Sequence, residues 1–449
     1  MSSEVDQHKE LGVGEVAERA RRASLALAGL STDVKNRALA SVGKAVERRR
    51  DEILLANRED KREAEKEVAS GQLSKALFKR LDLEGAKFDA VLEGLADVAK
   101  LPDPVGQVTL ATRLDDGLEL YRVTSPIGVV GVIFEARPDA AVQIASLGLK
   151  SANAVILKGG REATRSNRAL VAAFREALEE TPGMPPDAVQ LLSTREEVRG
   201  LLELDEWIDL IIPRGSNELV RSIQESTRIP VLGHADGLCA VYIDKAADRE
   251  KAVAVALDSK AQYPAVCNAA ETLVVHEDVV QTILPAVGQA LIAAGVELRA
   301  DNRALPHLPG AKSSQAADFS TEFLDLVLAV KTVKSLEEAI DHINRHGSHH
   351  TDAIVTEDSE AAERFLSGVD SAGVYHNAST RFADGFRYGF GAEVGVSTNK
   401  THARGPVGLE GMVIYKYRLY GKGHGVAAYG PGKKSFLHES IDDPRLPDR

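Results

Sequence analysis

The sequence predicts an α/β protein built from more than one structural unit, and three observations lead to this fold class. The chain has 449 residues, which is more than a single hydrophobic core usually accommodates. Residues 11–101 place apolar side chains three and four positions apart, the periodicity of helices. From about residue 127 onward, short apolar runs alternate with helical segments, which is the pattern of parallel sheets joined by crossover helices.

The predicted elements follow one another in a simple order. The helical opening ends at LPDPVGQ, because proline and glycine interrupt helices. A hairpin is predicted around Asp116 and Gly117, since Asp-Gly is a preferred two-residue turn between alternating strands. The tail after about Tyr420 is expected to be loosely ordered. Buried strands of the α/β part are predicted at IGVVGVIF, NAVILKG and WIDLIIP and, from Cys239 onward, at AVYID, ETLVV, LVLAVKTV and TDAIVTED.

Composition and charge exclude several classes of protein. The formal net charge of -12 argues against nucleic acid or an acidic membrane as a partner, because both require basic surface. Two cysteines without a CxxC spacing make neither a disulfide framework nor a zinc site of the usual kind. The N-terminal segment MSSEVDQHKE lacks the apolar region of a signal peptide, and no apolar run has the length of a membrane span. These features predict a cytoplasmic protein with reduced cysteines.

Two loops with anion-binding character stand where predicted strands give way to helices. Neither a Walker A sequence nor GxGxxG occurs in the chain. The first loop consists of Lys158, Gly159, Gly160 and Arg161, and the second of Arg214, Gly215 and Ser216. Ligands of open α/β sheets bind beyond the carboxyl ends of the strands, where helix N-termini attract anions. Either loop alone is also typical of an ordinary turn, but two in succession indicate a phosphorylated cofactor.

Six segments of the chain occur in a recognisable order, which extends to about Tyr420. They are PIGVVGVIFEARPD, NAVILKGGREA, LIIPRGS, QYPAVCNAAETLVV, GFGAEVGVST and HARGPVGLEG. This order resembles the aldehyde dehydrogenase superfamily and, within it, the gamma-glutamyl phosphate reductases. The resemblance implies an aldehyde dehydrogenase-like α/β fold with a Rossmann-like cofactor domain, an α/β catalytic domain and a small β-hairpin oligomerisation flap.

The resemblance also implies where these units begin and end. The implied boundaries are 1–108 for N-terminal helices of the cofactor domain, 109–125 for the oligomerisation hairpin, 126–235 for the Rossmann-like NADP-binding domain, 236–390 for the catalytic domain, and 391–449 for the return to the cofactor domain with an oligomerisation strand and the C-terminal tail. The flap would be completed by the segment around Met412 to Tyr417.

The activity implied by the resemblance is NADPH-dependent reduction of L-glutamate 5-phosphate to L-glutamate 5-semialdehyde, with release of phosphate, in proline biosynthesis. It assigns the nucleophile to Cys267, whose thiolate would form a thioester that hydride then reduces. By its local sequence alone, Cys267 is equally typical of a structural core cysteine. Cys239 is interpreted only as a small buried residue in a strand.

Two departures from the superfamily pattern concern the chemistry. Arg137 in FEARPD stands near the position where hydrolytic members place an oxyanion-binding Asn, and arginine there suits a phosphate dianion or an oxyanion. Hydrolytic members also carry a water-activating Glu, whereas this chain has Gly233 and His234 in that place. The missing base favours an acyl phosphate substrate over hydrolysis to a free acid. His234 is predicted either to donate a proton or to serve in packing.

Cofactor and substrate residues are assigned in the same way. Arg161 beside Lys158 favours NADP over NAD. Hydrolytic NAD-using relatives often carry a Glu at this position, and its carboxylate would repel the 2′-phosphate of NADP. Glu322 aligns with a glutamate that contacts the nicotinamide ribose, although a solvated strand-end charge is the alternative. Asn377 and Arg381 are candidate substrate residues, with Arg381 facing the α-carboxylate.

The histidine-rich run HINRHGSHH, which contains His342, His346, His349 and His350, superficially resembles a metal site. No HExxH pattern or nearby cysteine in the sequence completes one, so no metal is predicted. Surface histidines at a helix end are the simpler interpretation.

The sequence leaves two alternative functions open, and two kinds of protein partner are expected. One alternative is an acylating aldehyde dehydrogenase acting on another acyl phosphate or on an acyl-CoA. The other is a catalytically silent oligomeric or binding protein on the same scaffold. A homo-oligomer is expected from the resemblance. Association with the upstream glutamate kinase is a hypothesis, because the acyl phosphate cyclises readily and would benefit from direct transfer.

Overall fold

The computed structural model of the chain describes residues 12–192, 194–234, 236–442 and 445–447. The N-terminal segment MSSEVDQHKE, whose sequence does not predict a signal peptide, lies outside these residues. Within the described part, five helices open the chain and confirm the predicted helical region. They are α1 (Val13–Leu27), α2 (Thr32–Arg48), α3 (Arg50–Ala69), α4 (Lys75–Arg80) and α5 (Ala86–Lys100).

A β-hairpin follows these helices, as the Asp-Gly turn predicted. Its strands are β1 (Val108–Asp115) and β2 (Leu118–Pro126), and they pair antiparallel with Asp115 opposite Leu118 across the turn. Gly117 has a φ of 72°, a left-handed backbone conformation that glycine adopts without strain.

The next part of the chain is a four-stranded parallel sheet with crossover helices. Its elements are β3 (Val129–Phe134), α6 (Pro138–Lys150), β4 (Ala154–Lys158), α7 (Thr164–Glu179), β5 (Val189–Leu192), α8 (Arg195–Leu202), β6 (Leu210–Arg214) and α9 (Asn217–Ser226). The strand order is β5-β4-β3-β6, and every residue of β3 is buried. Strands β4 and β5 are added on one side of β3, and β6 is added on the other side. A topological switch point therefore lies between β3 and β6, where open α/β sheets form ligand crevices.

A second, seven-stranded parallel sheet completes the α/β part. Its elements are β7 (Cys239–Ile243), α10 (Arg249–Ala261), β8 (Ala270–His276), α11 (Leu284–Ala293), β9 (Glu297–Ala300), β10 (Lys312–Ser313), β11 (Val327–Val333), α12 (Leu336–His346), β12 (Thr351–Val355), α13 (Ser359–Gly368) and β13 (Gly373–His376). The strand order is β10-β9-β11-β8-β7-β12-β13. Val241 and Ile243 face one apolar cluster and Tyr242 faces another, because successive side chains of a strand point to opposite faces.

The last part of the chain returns to the first sheet and to the hairpin. Its strands are β14 (Gly395–Ser397), β15 (Gly405–Val407), β16 (Val413–Tyr420) and β17 (Glu439–Ser440). Ala392, Val394 and Met412 belong to the same apolar core as β3 and β4. Strand β16 pairs with β2 along its whole length, which confirms the strand predicted around Met412 to Tyr417.

The prediction of a loosely ordered tail was wrong for its described residues. Strand β17 pairs with β1, so the tail adds an edge to the hairpin sheet. Asp115 accepts a hydrogen bond of 2.7 Å from the Tyr429 hydroxyl and forms an ion pair with Lys434. The tail is therefore held by partners that precede it by more than 300 positions in the sequence. Among the described residues, no helix combines the length and apolar character needed to cross a membrane.

Candidate active site

Cys267 lies in the loop between α10 and β8, at the amino edge of the seven-stranded sheet. Because β7, β8 and β12 are parallel neighbours or near neighbours, their starts stand together and bring Cys239, Cys267 and His350 to one place. The Cys239 thiol donates to the main-chain oxygen of Cys267 at 3.2 Å and lies 3.7 Å from His350 Nδ1. Cys239 is buried, in agreement with its predicted structural role, whereas Cys267 is half-buried.

The backbone beside Cys267 is approached closely by Gly237. A β-carbon at Gly237 would collide with the main chain of Cys267, so glycine is required at this close approach. The Gly237 amide donates to Glu322 at 3.0 Å, and the same carboxylate accepts from the Asn217 side chain in the first turn of α9. Glu322 thus braces the Cys267 region against α9 and is not a freely solvated charge. Its contact with a nicotinamide ribose stays a prediction.

Two arginine side chains, Arg214 and Arg381, act electrostatically on Cys267, and a third, Arg137, acts on Arg214. The Arg214 guanidinium interacts electrostatically with Cys267, Glu393 and Arg137, and burial lowers the pKa of Arg214. Burial likewise lowers the pKa of Arg381, which also interacts with Cys267. Arg137 forms an ion pair of 2.8 Å with Asp139 at the start of α6. The surroundings of Cys267 are therefore positively charged and suited to an anionic substrate.

Arg214 is the residue of this group that sequence analysis did not assign to catalysis. It ends β6 and was treated only as part of an anion-binding loop, yet its guanidinium lies against the main chain of Gly395. Glu393, with which it interacts electrostatically, accepts a hydrogen bond of 2.8 Å from the Gly385 amide, and burial raises the pKa of Glu393. No local sequence signal predicts these neighbours of Arg214, because they are about 180 positions away in the chain.

The turn that carries Arg381 is fixed to the chain on either side of Cys267. The Thr380 hydroxyl donates to the main-chain oxygen of Asn268 at 2.7 Å, and Arg381 Nε donates to the Gln262 side chain at 3.0 Å. Arg381 is only 8% exposed, so its charge is held in place. Asn377, in contrast, uses its side chain to bond both main-chain polar groups of Thr356 and shapes the turn after β13. Its role as a substrate residue stays a prediction.

His234 reaches the same site from the segment between α9 and β7. Its Nδ1 donates to the main-chain oxygen of Val396 at 2.9 Å, and burial lowers its pKa, so the ring is neutral at neutral pH. The rings of His234 and His350 meet edge to face with centroids 4.8 Å apart. His350 is fully buried, so the interpretation of the HINRHGSHH histidines as surface residues was wrong for this one. It belongs to the start of β12 and not to the helix end.

A cavity of about 930 Å³ opens beside this group of residues. Its inner wall includes Arg137, Tyr263, Val266 and Gly391, of which Tyr263 and Val266 lie close to Cys267 in the chain. Its outer wall is formed by α4 and α5 and contains Lys75, Lys79, Arg80 and Lys87 together with Asp82. The excess of cationic side chains at the wall favours entry of an anion.

The predicted cofactor loops lie at the carboxyl edge of the four-stranded sheet. Lys158, Gly159 and Gly160 follow β4, and Gly215 and Ser216 follow β6, on the two sides of β3. A β-carbon at Gly159 would collide with Asn167, whose Oδ1 is buried without a hydrogen-bond partner, so the loop backbone packs closely on α7. The loop after β6 therefore lies at the switch point between β3 and β6, and the loop after β4 lies one strand away from it.

Charged side chains at this crevice determine how well a phosphorylated cofactor fits. Ser216 caps α9, and its amide donates to the Glu135 carboxylate at 2.9 Å, so a carboxylate lies at the N-terminus of the helix. Arg161 is 82% exposed and forms an ion pair of 2.9 Å with Glu67. The exposed cation and the helix N-terminus fit a phosphate-bearing cofactor, provided that Glu135 moves aside for any phosphate bound at Ser216.

Comparisons with known proteins agree with this geometry. Residues 2–307 match the Aldehyde dehydrogenase family. A gamma-glutamyl phosphate reductase of Trichormus variabilis is 55% identical over 96% of this chain and 98% of its own length. The crystal structure of a gamma-glutamyl phosphate reductase from Thermotoga maritima has a TM-score of 0.89 at 40% identity, covering 92% of this chain and 99% of that one.

A more distant structure shares the fold alone. It is an engineered glycolyl-CoA reductase with bound NADP+, 14% identical with a TM-score of 0.61, and it covers 91% of this chain and 96% of its own. The full-length similarity to the first relatives, in contrast, extends through both sheets and the residues around Cys267. The chain belongs to the aldehyde dehydrogenase family and, within it, to the gamma-glutamyl phosphate reductases.

Proposed function

We propose that this oxidoreductase carries out the glutamate 5-semialdehyde-forming step of proline biosynthesis, reducing L-glutamate 5-phosphate with NADPH through a thioester on Cys267. The observation that carries the proposal is the half-buried Cys267, on which the buried Arg381 and the half-buried Arg214 act electrostatically, beside a cavity with cationic walls. An acyl phosphate is an electrophile with a dianionic leaving group, and this environment suits both properties.

The first half of the reaction transfers the acyl group to the protein. The Cys267 thiolate attacks the acyl carbon, and the bond between that carbon and the bridging oxygen of the phosphate group breaks. Phosphate leaves with the bonding electrons. Arg214 and Arg137 are placed to stabilise the negative charge on the oxyanion and on the departing phosphate. Because the Arg137 guanidinium is held in an ion pair with Asp139, it needs little reorganisation when that charge develops.

The second half reduces the thioester and releases the aldehyde. The reduced nicotinamide, when bound, supplies a hydride to the acyl carbon. Arg214 then faces the oxyanion a second time, and breaking the carbon–sulfur bond restores the Cys267 thiolate. The neutral His234 ring is hydrogen-bonded to Val396 and lies close to this sulfur. It is the candidate proton donor at this site.

Substrate and cofactor recognition are proposed for different surfaces. The fixed charge of Arg381 suits the α-carboxylate of the glutamyl group. Arg161 and Lys158 are proposed to favour NADPH through the 2′-phosphate of its adenosine ribose. An NADP+-bound neighbour with the same fold supports a nicotinamide cofactor in this crevice.

The proposed assembly rests on the hairpin sheet. Strand β16 exposes Ile414, Tyr415, Tyr417 and Leu419, an apolar edge that a second copy of the chain would cover. Association with glutamate kinase and a cytoplasmic location are further proposals, which co-purification and fractionation of cells test directly.

The decisive experiment runs the reaction backward with glutamate 5-semialdehyde and NADP+. We expect NADP+ reduction to depend strictly on inorganic phosphate and to fall at least about 10³-fold in Cys267→Ala. Cys239→Ala is the matched control, because it removes only a weak S–H donor, and its loss should stay below about 10-fold. Reduction supported by CoA in place of phosphate would favour the acylating alternative, and reduction with neither would indicate a hydrolytic dehydrogenase.

A further inference from the structure

We propose that Cys267, His234 and His350 form a binding site for a thiophilic divalent cation such as Zn²⁺, and that occupation of this site blocks the nucleophile. One potential ligand atom from each side chain lies within 4.8 Å of the other two. The three residues come from separate parts of the fold, namely the segments before β7, before β8 and before β12. The sequence predicted no metal because this cluster has no linear motif.

His350 supplies the independent observation that points to a ligand. It is fully buried, and its Nε2 has no hydrogen-bond partner. Buried polar atoms are nearly always paired, so such an atom calls for a partner that is absent from the protein itself. The Nδ1 of the same ring lies 3.0 Å from the Thr351 hydroxyl oxygen. With the proton on Nδ1, the Nε2 lone pair is available to a cation.

His234 shows the same arrangement. Its Nδ1 donates to the main-chain oxygen of Val396, so Nε2 takes no part in that hydrogen bond. Imidazoles that bind metals commonly donate their other ring N–H to an oxygen, which fixes the tautomer and the ring orientation. His234 is therefore held in the form that binds a metal, and His350 has the same form when its Nδ1 donates to the Thr351 hydroxyl.

The ligand types select the cation. One thiolate and two imidazoles are typical of zinc, which binds sulfur at about 2.3 Å and nitrogen at about 2.0 Å in a tetrahedron. Those bond lengths place ligand atoms roughly 3.5 Å apart. The observed limit of 4.8 Å requires small side-chain rotations to close, and the fourth position stays open to water.

Neighbouring charges limit how tightly the cation binds. Arg214 and Arg381 interact with Cys267 and repel a dication, while the Glu322 carboxylate acts on His234 in the opposite sense. We therefore expect reversible occupation that competes with acylation, and not a structural zinc site. The blocking of catalysis rests on the proposed function, whereas binding of the cation does not.

The test uses the full-length chain after treatment with a chelator, with Co²⁺ as a spectroscopic probe and Zn²⁺ as a competitor. We expect one Co²⁺ per chain with a thiolate-to-cobalt charge-transfer band that Zn²⁺ removes. His350→Gln should raise the Co²⁺ dissociation constant by more than about 10-fold. His346→Gln, a half-buried histidine at the end of α12, is the matched control and should bind as the native chain does.

A second variant keeps the test decisive if His350→Gln does not fold. Cys267→Ser preserves the shape of the site and should abolish the charge-transfer band while weakening Co²⁺ binding measured by calorimetry. Absence of one-to-one binding, or equal binding by native chain and folded variants, would overturn the metal site. Binding without loss of reductase activity would uphold the metal site and overturn the proposal that the bound cation blocks Cys267.

Discussion

The cofactor crevice and the Cys267 site differ in how their charged groups are held. At the crevice, Arg161 is exposed and paired with Glu67 on the surface. Around Cys267, Arg214 and Arg381 are desolvated and interact with the sulfur itself. Water screens an exposed charge but not a buried one, so charges of the second kind act more strongly on a reacting group. We therefore expect the Cys267 site to govern rate and the crevice to govern cofactor choice.

The largest effect that would test this contrast is expected for Arg214→Gln. The variant keeps a polar side chain of similar length but removes the charge facing Cys267 and Glu393. We expect kcat/KM to fall by about 10²–10³, the usual cost of losing a donor to a developing oxyanion. Steady-state kinetics of the phosphate-dependent reaction measure it.

Arg214→Lys is the matched control for that prediction. It keeps the positive charge without the planar fork of donors, so it should recover part of the lost kcat/KM. If Arg214→Gln turned over as the native chain does, the buried arginine would serve packing alone and the contrast between the two regions would fail.

A smaller effect, mainly on substrate affinity, is expected for Arg381→Gln. Loss of a charge-assisted contact with the α-carboxylate should raise KM for glutamate 5-semialdehyde by about 10- to 100-fold, with a lesser change in kcat. The KM for NADP+ should be unaltered, because Arg381 contacts Gln262 in the catalytic part and not the crevice. A fall confined to kcat would instead place Arg381 at the reacting carbon.

A smaller effect still is expected at the crevice. Arg161→Glu should lower the preference for NADP+ over NAD+ by about 10-fold without changing kcat, since exposed charges contribute about 1 kcal/mol or less each. Comparison of kcat/KM for the two cofactors measures it. Glu67→Gln releases Arg161 from its partner and should shift the preference slightly the other way. Equal preference in all three proteins would remove Arg161 from cofactor selection.

The smallest effect concerns a charge outside both regions. Lys434 and Tyr429 donate to Asp115 and lower its pKa from 3.8 to about 2. A carboxylate with a lowered pKa stabilises the folded state above its unfolded pKa, and that contribution is lost as the pH falls toward 2. We expect the amides of Leu437 and Ile441, which bond to β1, to lose protection from hydrogen exchange between pH 4 and 2.

Asp115→Asn should remove that pH dependence, since the amide does not titrate. The variant should have the same kcat/KM as the native chain at neutral pH, because Asp115 contacts neither region of the site. A change in turnover would show that the hairpin sheet is coupled to catalysis.

Much of the fold follows from local patterns along the chain. The helical opening, the Asp116-Gly117 hairpin and seven strands of the two parallel sheets are predicted, because each depends on periodicity or turn chemistry within a few residues. The short strands β5, β9, β10 and β13 are not predicted. The ordered tail was missed, since the partners of Tyr429 and Lys434 lie far away at Asp115. Contacts of that kind leave no local pattern.

The sequence by itself determined the fold class, the family and the identity of Cys267 as the candidate nucleophile. Only the tertiary structure decided which charges surround that sulfur. It placed Arg214 where its charge acts on Cys267 and Glu393, and it buried His350 beside Cys267 and His234. The physical reason is that strand starts and ends from two sheets converge there, so the strength of each charge depends on burial and neighbours that linear spacing does not encode.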